Sequence, residues 1–310
     1  TMHANAEEAK KEALRMFKIY EDFQRNILAL PVITGRKTEK EKFAGAEETY
    51  TLEAMMYDGV ALQNGTSHYF GTHFAKAFGI KFLDTDNTLK TPYQTSWGVT
   101  TRMIGAIIMT HGDNHGLVLP PNIAPIKVVF IPIGKDEKVL NIINDITKSL
   151  PEDISYQVDT SDKTPGFKFA DAEVKGIPIR VEIGMRDLEN NQVTLVRRDT
   201  LEKIPVDIEN VVSKIEELLP EIQQDMYDRA LKRRDSMIYD TTDYETFKKD
   251  AKEKNGFYKI NWCGNTSCED KIKEDTGLKS RCIIEKEEIT GPCIVCGEKA
   301  TTRLYVGKQY

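Results

Sequence analysis

The sequence has no long uninterrupted apolar run and no hydrophobic leader. A membrane-spanning helix needs about 18 to 20 mostly apolar residues, and no stretch of the 310-residue chain approaches that length. The opening residues, TMHANAEE, lack the basic segment and the apolar core of a secretory signal peptide. These absences argue against a membrane or secreted protein, and we expect a cytoplasmic chain with no membrane partner.

An excess of positive charge is also missing. The chain has 43 Lys and Arg against 49 Asp and Glu, a formal net charge of −6, so binding to nucleic acid requires a local basic face. Its 40% hydrophobic and 30% charged residues are typical of a globular protein, and its length favours two or three domains. The chain does not begin with Met, which suggests a fragment or a processed protein.

Cysteine is confined to one short region. All five lie between Cys263 and Cys296. The spacing is Cys-x4-Cys at Cys263 and Cys268 and Cys-x2-Cys at Cys293 and Cys296, with 24 residues between the pairs. Two such loops can complete a tetrahedral, saturated site, which indicates structural zinc. The alternative is four unrelated buried thiols. Cys282 has no partner at this spacing, and we expect it in the core.

The order of apolar and polar residues predicts three domains. Apolar residues three or four apart over 6–30 indicate an amphipathic helix, and residues up to about 110 suggest antiparallel strands with helices packed on them. Prolines at 120, 121 and 125 mark a boundary. Strands then alternate with helices, up to a helix over 206–219, which predicts a small α/β domain. A charged helix is predicted to run on from Glu221. The predicted domains are 1–124, 125–225 and a cysteine-bearing 226–310, giving a multidomain fold of the α/β and α+β classes.

Five segments in the same order resemble prolyl-tRNA synthetases. They are GRKTEKEKFAGA at 35–46, LQNGTSHYF at 62–70, SWGVTTR at 96–102 followed by HGDNHGLVLPPNIAP, PGFKFADAEVKGIPIRVEIGMRD at 165–187, and the ending at 293–310. The last is similar to the zinc-bearing tail of the archaeal/eukaryotic-like branch. The resemblance implies a partial class II catalytic domain built on an antiparallel sheet, an anticodon-binding domain and a zinc-binding C-terminal domain.

The resemblance implies a proline–tRNA ligase, which activates L-proline with ATP and transfers it to tRNA(Pro). Mg²⁺ would accompany ATP, and the whole enzyme would be a homodimer. Class II motifs 1 and 2 are not found in the sequence, so we expect this chain alone to be inactive. The alternative is a non-catalytic tRNA-binding or regulatory module that keeps the anticodon and zinc domains.

The resemblance also assigns residues of the catalytic domain. Arg102 would be the catalytic motif 3 arginine, in contact with ATP. The nucleotide would also contact Gln63, Thr66 and Thr100. Proline would contact His68, Gly65, Trp97 and Ser96. Without the resemblance, the simpler interpretation is that Arg102 is a surface residue and His68 a core residue. His111 and His115 are not expected to bind metal.

For tRNA, the resemblance assigns anticodon contacts to Glu173, Arg180 and Lys203. A carboxylate can accept hydrogen bonds from guanine, and an arginine can donate to its O6 and N7 atoms. The simpler alternative is a Glu–Arg ion pair with no role in recognition. Phe167 and Phe169 are candidates for base stacking or for the core. A local positive field is expected from Lys168, Lys175, Arg197 and Arg198.

Overall fold

The computed structural model describes all residues from Thr1 to Tyr310, and it divides them into two compact units. The first unit comprises Thr1–Asn26, Leu30–Ala106 and Leu231–Tyr310, and the second comprises Ile27–Ala29 and Ile107–Ala230. The sequence predicted three domains, but strands from the predicted first and third domains belong to one sheet of the first unit. The assignment of the first predicted domain as catalytic and of the third as zinc-binding remains a prediction.

The helices and strands follow one another in three stretches of chain. Up to residue 111 they are β1 (Met2–His3), α1 (Ala6–Asp22), β2 (Ile33–Arg36), β3 (Glu48–Met55), β4 (Ala61–Gly71), α2 (His73–Ala77), β5 (Phe82–Leu83), β6 (Leu89–Lys90), β7 (Tyr93–Gly98) and α3 (Arg102–His111). The middle stretch contains β8 (Val128–Ile133), α4 (Glu137–Lys148), β9 (Tyr156–Val158), α5 (Pro165–Lys175), β10 (Ile179–Gly184), α6 (Met185–Glu189), β11 (Gln192–Arg197), β12 (Lys203–Asp207) and α7 (Val211–Ser236). The last stretch contains β13 (Ile238–Asp240), α8 (Tyr244–Glu253), β14 (Phe257–Trp262), α9 (Thr266–Thr276), β15 (Lys279–Ile284) and β16 (Thr302–Gly307).

The first unit is built on a nine-stranded sheet in the order β1-β7-β4-β3-β2-β15-β16-β14-β13. Its pairs are antiparallel except β13 with β14. Helix α1 packs on β4 and β7, and its N-terminus is capped by Asn5, whose side chain accepts from the Glu8 N–H at 2.9 Å. The predicted antiparallel strands and the amphipathic helix are therefore confirmed, with a single π-helical stretch at Phe23–Ile27 after α1.

The second unit has a five-stranded sheet in the order β12-β11-β10-β8-β9. β8 pairs in parallel with β9 and β10, whereas β11 and β12 add antiparallel strands. Helices α4 and α7 and the inner strands form one apolar core, which includes Phe130, Ile143, Ile179 and Leu218. The predicted small α/β domain is confirmed. The predicted helix over 206–219 begins too early, because Val206 lies in β12, and it forms a single helix through Pro220 with the charged helix predicted from Glu221.

None of the helices is long and apolar enough to cross a membrane.

Candidate functional site

The four predicted cysteine ligands meet at one point in the first unit. Cys263 follows β14, Cys268 lies in the first turn of α9, and the other two lie in the loop before β16. Their Sγ atoms all lie within 4.8 Å of one another. Gly264 and Gly297 adopt φ values of 87° and 73°, a region that glycine enters at little cost, and these turns let each pair converge.

The spacing of the sulfur atoms fits a four-coordinate metal. The Cys263 and Cys268 Sγ atoms are 3.6 Å apart, and the Cys263 and Cys296 Sγ atoms are 3.8 Å apart. Zinc–sulfur bonds of about 2.3 Å in a tetrahedron require sulfurs about 3.8 Å apart. Burial acts to raise the pKa of Cys293, but backbone N–H groups of Cys296 and Val295 overcome it and lower that pKa to about 7. Burial raises the pKa of Cys263 and Cys268, so it is the convergence of the four sulfur atoms that makes the group suited to a metal ion.

Cys282 is separate from this group, as predicted. It is fully buried on β15 among Ile33, Met55 and Phe257. A side chain at Gly35 would meet the Cys282 Sγ at 3.0 Å. Burial raises the pKa of Cys282 to about 12, so this cysteine is a neutral core residue.

One face of the large sheet presents polar side chains from three neighbouring strands. The register pairs His68 of β4 with Thr49 of β3 and with Ser96 of β7. The His68 Nδ1 lies 3.0 Å from the Thr49 hydroxyl, and its ring centroid lies 5.1 Å from that of Phe43 and 5.8 Å from that of Phe70. Burial lowers the pKa of His68, which favours the neutral imidazole at neutral pH.

Arg102 is the first residue of α3 and lies beside β4. Its Nη1 donates to the backbone carbonyl of Gln63 at 3.0 Å, and its backbone N–H donates to the Thr100 hydroxyl at 3.2 Å. Thr66 shares a face of β4 with His68 because the two residues are two positions apart. The structure therefore brings Arg102, Gln63 and Thr100 together, and it places Thr66 beside His68.

Trp97 lies on the opposite face of these strands. The register pairs it with Ser67, and the Ser67 hydroxyl donates to the Ala13 carbonyl in α1 at 2.7 Å. Since side chains alternate along a strand, Trp97 is on the α1 face and Ser96 is on the His68 face. The expected pocket shared by Trp97 and His68 therefore needs correction, because the sheet separates the two side chains.

Gly65 has a packing role on that same second face. A Cβ at this position would meet the Val99 Cγ1 at 3.0 Å and the Leu52 Cδ1 at 3.3 Å. Those distances are tighter than ordinary van der Waals contact, so the absence of a side chain lets the two apolar residues approach the strand. This reason differs from the predicted close approach of a substrate ring.

Sequence reasoning missed a buried charge cluster on the His68 face. Glu53 of β3 pairs in register with Gln63 of β4. Its carboxylate binds Lys37 Nζ at 2.7 Å and Arg281 of β15 at 3.0 Å, and Arg281 also donates to Gln309. A charged residue inside the apolar stretch TLEAMM was the available signal, because a buried carboxylate requires a partner.

The C-terminal residues pair with the start of β4. The Ala61 N–H donates to the Lys308 carbonyl at 2.9 Å, and the Tyr310 N–H donates to the Ala61 carbonyl at 3.1 Å. The Tyr310 hydroxyl donates to Asp58 Oδ2 at 2.6 Å. Tyr310 therefore lies at the turn between β3 and β4.

In the second unit, Glu173 and Arg180 form an ion pair. Glu173 lies near the end of α5, which stops at Gly176 with φ 69°, and Arg180 lies in β10. Arg180 Nη1 donates to Glu173 Oε1 at 2.9 Å and to the Phe169 carbonyl at 3.2 Å. The guanidinium carbon is 4.5 Å from the centroid of the Phe169 ring. The simple alternative, an ion pair, therefore exists, but it is largely buried, with Arg180 only 6% exposed.

Glu182 joins this pair to the third predicted residue. Arg180 Nε donates to Glu182 Oε1 at 2.9 Å, and Lys203 Nζ donates to Glu182 Oε2 at 3.4 Å. Glu173, Arg180 and Lys203 thus form one connected group. Sequence reasoning missed Glu182, although its position two residues after Arg180 on a strand places both on one face.

The expected positive field is only partly available. Lys168, Arg197 and Arg198 are each 5% exposed or less, and all three are bonded inside the second unit. Lys175 is exposed and pairs with Asp171 at 2.6 Å. The assignment of the buried three to a surface field is wrong, because buried cations require partners.

Two family models match parts of the chain. Residues 127–218 match the model described as anticodon binding domain, and residues 244–310 match "Prolyl-tRNA synthetase, C-terminal". Relatives named "Proline--tRNA ligase" cover the whole chain: one from Lachnospira eligens is 53% identical and one from Clostridium novyi is 52% identical. A "Proline--tRNA ligase 2" from Bacillus cereus is 49% identical. The chain spans 65–66% of the length of these relatives.

An anticodon-binding domain, followed by a domain particular to one type of synthetase, defines a chain of the aminoacyl-tRNA synthetase class. The identity holds over the full 310 residues in every relative named above. The chain belongs to the prolyl-tRNA synthetase family. These relatives are bacterial, so the archaeal/eukaryotic-like branch stays a prediction.

Proposed function

We propose that the chain acts in a proline–tRNA ligase, which forms prolyl-adenylate from L-proline and ATP and transfers the prolyl group to tRNA(Pro). Full-length similarity to proteins named for that activity supports the proposal. The reaction would take place in the cytoplasm, and the enzyme would be a homodimer that uses ATP together with Mg²⁺.

The activation step would use the face of the large sheet that carries His68. Arg102 would hold and neutralise polyphosphate charge, helped by Gln63, Thr66 and Thr100, because phosphate transfer depends mainly on positioning and electrostatics. Neutral His68 would contact proline, with Ser96 beside it on the same face. No proton transfer through His68 is required, which agrees with the lowered pKa of its ring.

Zinc held by Cys263, Cys268, Cys293 and Cys296 would stabilise the region that joins β14, α9 and β16. Four thiolates leave no open position for a reacting water. The metal would therefore act on folding rather than on the reaction.

Anticodon reading would fall to Glu173, Arg180 and Lys203. Support comes from the connected group that these residues form with Glu182. Arg180 Nη1 and Nε bind protein acceptors, whereas Nη2 makes no hydrogen bond within the protein. That nitrogen could donate to a guanine in a site whose arginine is already fixed by two carboxylates and a ring. Lys203, with a side chain 61% exposed, could reach the same nucleotide.

The experiment measures binding of proline tRNA and of the same tRNA with its anticodon guanines replaced, each at two salt concentrations. We expect the unmodified protein to prefer the first. Arg180→Lys and Glu173→Gln should reduce the preference by about 1–3 kcal/mol, the scale of one specific contact with a base. Phosphate contacts alone would give salt dependence without preference.

Lys135→Met is the matched control. Lys135 is exposed and pairs only with exposed Asp162 at 2.6 Å, so both affinities should stay unchanged. Equal affinity of the unmodified protein for the two tRNAs would overturn anticodon reading by this unit.

A further inference from the structure

We propose that Arg198, fixed by Asp113, is the positioning residue that sets Glu173 in place for anticodon recognition. The proposal rests on the proposed function of Glu173 and Arg180. Arg198 would touch no nucleotide. Its guanidinium would instead fix the end of α5, from which the Glu173 carboxylate projects.

The Arg198 guanidinium connects two parts of the second unit. Its Nη1 and Nη2 donate to the two carboxylate oxygens of Asp113 at 2.8 and 2.6 Å. Its Nε donates to the backbone carbonyl of Glu173 at 2.9 Å. Arg198 is 3% exposed, so water cannot replace these bonds easily. A bidentate pair of this kind fixes orientation as well as distance.

The segment that follows α3 reinforces the same helix end. The Leu117 N–H donates to the Val174 carbonyl at 3.1 Å, and the Leu119 N–H donates to the Gly176 carbonyl at 3.3 Å. A Cβ at Gly116 would lie 2.5 Å from the Val174 Cα. His115 Nδ1 lies 3.4 Å from Glu173 Oε2. Backbone and side chain of the α5 terminus are therefore both held by residues 113–119.

Helix ends explain why an arginine suits this position. The Glu173 carbonyl accepts from the Gly176 N–H at 3.0 Å where α5 ends, so Arg198 adds a second donor to it, and the partial negative charge at a helix end attracts a cation. Arg198 supplies a donor and a positive charge at Glu173, whose carboxylate binds Arg180. A site of this type loses function when its groups move by about 0.5 Å, so loosening the carbonyl of Glu173 should misplace its carboxylate.

Arg197 provides a control of equal burial. It is also 3% exposed, but it binds Asp199, Glu221 and Asp225 and makes no hydrogen bond or ion pair with α5. Arg198→Lys keeps the charge and removes the bidentate geometry, and Arg197→Lys makes the same change one residue away. The pair separates positioning of Glu173 from a general effect of altering a buried arginine.

The test measures, for each variant and for the unmodified protein, the dissociation constant for the altered proline tRNA divided by that for the normal tRNA. We expect Arg198→Lys to lower this ratio by at least about fivefold, the lower end of the share of one base contact, with an unchanged salt slope. Arg197→Lys should leave the ratio within about twofold of the unmodified protein. A purely structural role would instead weaken both tRNAs equally.

Three outcomes are distinguishable. If the unmodified protein shows no preference, or Glu173→Gln keeps it, the proposed function fails. If Glu173→Gln loses the preference and folded Arg198→Lys keeps it, the positioning role of Arg198 is overturned. Should Arg198→Lys fail to fold, Asp113→Asn takes its place, because it leaves the Arg198 bond to the Glu173 carbonyl possible but frees the guanidinium. A folded Asp113→Asn protein with the full ratio would equally overturn the proposal.

Discussion

Lys37 Nζ and Glu53 Oε1 lie 2.7 Å apart inside the protein, with side chains 3% and 0% exposed. Arg281 binds the other carboxylate oxygen of Glu53 at 3.0 Å, and the Thr51 hydroxyl donates to Oε1 at 2.7 Å. One anion is therefore shared by two cations. Burial lowers the pKa of Lys37, while the two cations hold the pKa of Glu53 below its usual value against the effect of burial.

This arrangement predicts an order of stability losses. Glu53→Gln leaves two buried cations without a counter-charge and should cost about 3–5 kcal/mol. Lys37→Met leaves a neutral Glu53–Arg281 pair and should cost less. Lys271→Met, which removes an exposed pair with Asp275 at 3.0 Å, should cost at most about 1 kcal/mol. Urea unfolding of the three variants measures the order, and a larger loss for Lys37→Met than for Glu53→Gln would contradict it.

The cysteine cluster predicts metal content. The purified protein should carry one zinc ion per chain, and Cys268→Ser should lower that content because a tetrahedral site loses one of its four ligands. Cys282→Ser is the control: its thiol is buried elsewhere in the unit, so the metal content should stay the same. Elemental analysis before and after treatment with a chelator measures both. Well under one zinc per unmodified chain would refute the assignment.

The position of Arg102 predicts a defect in nucleotide use. In the proline–tRNA ligase, Arg102→Ala should weaken ATP use by about 1.5–3 kcal/mol, the scale of a hydrogen bond to a charged group. Arg15→Ala is a control, because Arg15 is exposed on α1 and pairs only with Glu12. Pyrophosphate exchange at several ATP concentrations gives the measurement. If the Arg102→Ala protein exchanged pyrophosphate at the same rate as the unmodified protein, Arg102 would not be part of the ATP site.

The Asp113–Arg198 pair predicts a pH dependence of stability. Hydrogen bonds from Arg198 lower the pKa of Asp113 to about 2, below the value of about 3.9 for a free aspartate. A lowered folded pKa stabilises the protein fully above about pH 4, and that contribution is lost as the pH falls towards 2.

Asp113→Asn should therefore reduce the loss of stability between pH 5 and pH 2.5, measured as the urea midpoint at each pH. Asp228→Asn is the control, since Asp228 is exposed and receives one bond from Gln224. Parallel curves for the unmodified protein and Asp113→Asn would show that the pair does not contribute in this range.

Local signals in the sequence predicted several parts of the fold well. The periodicity of α1, the alternation of strands with helices in the second unit and the spacing of the cysteines depend on residues that are near one another in the chain. The nine-stranded sheet could not be predicted in this way, since the pairing of β2 with β15 depends on residues far apart. The same limit explains why the sequence predicted two helices where the structure has α7. Pro220 is unfavourable inside a helix, but the buried residues Leu218, Ile222 and Met226 on either side of it pack the helix into the core.

The candidate site shows a similar division. The sequence identified Glu173, Arg180 and Lys203 through a family resemblance, but it could not reveal Glu182 or Arg198 as their partners. The sequence also placed Trp97 beside His68. Neighbours in a motif can lie on opposite faces of a strand, and only the register against β4 separates the two side chains.

The order of strands in the large sheet has a consequence for synthesis on the ribosome. Arg281 and Glu53 are partners although they are 228 positions apart in the sequence. Chains emerge N-terminus first, and compact units fold as they become complete. The second unit can therefore fold while β2 still awaits β15. An unpaired strand edge favours pairing with other chains, so we expect nascent chains that end before residue 279 to bind chaperones more strongly than the finished protein does.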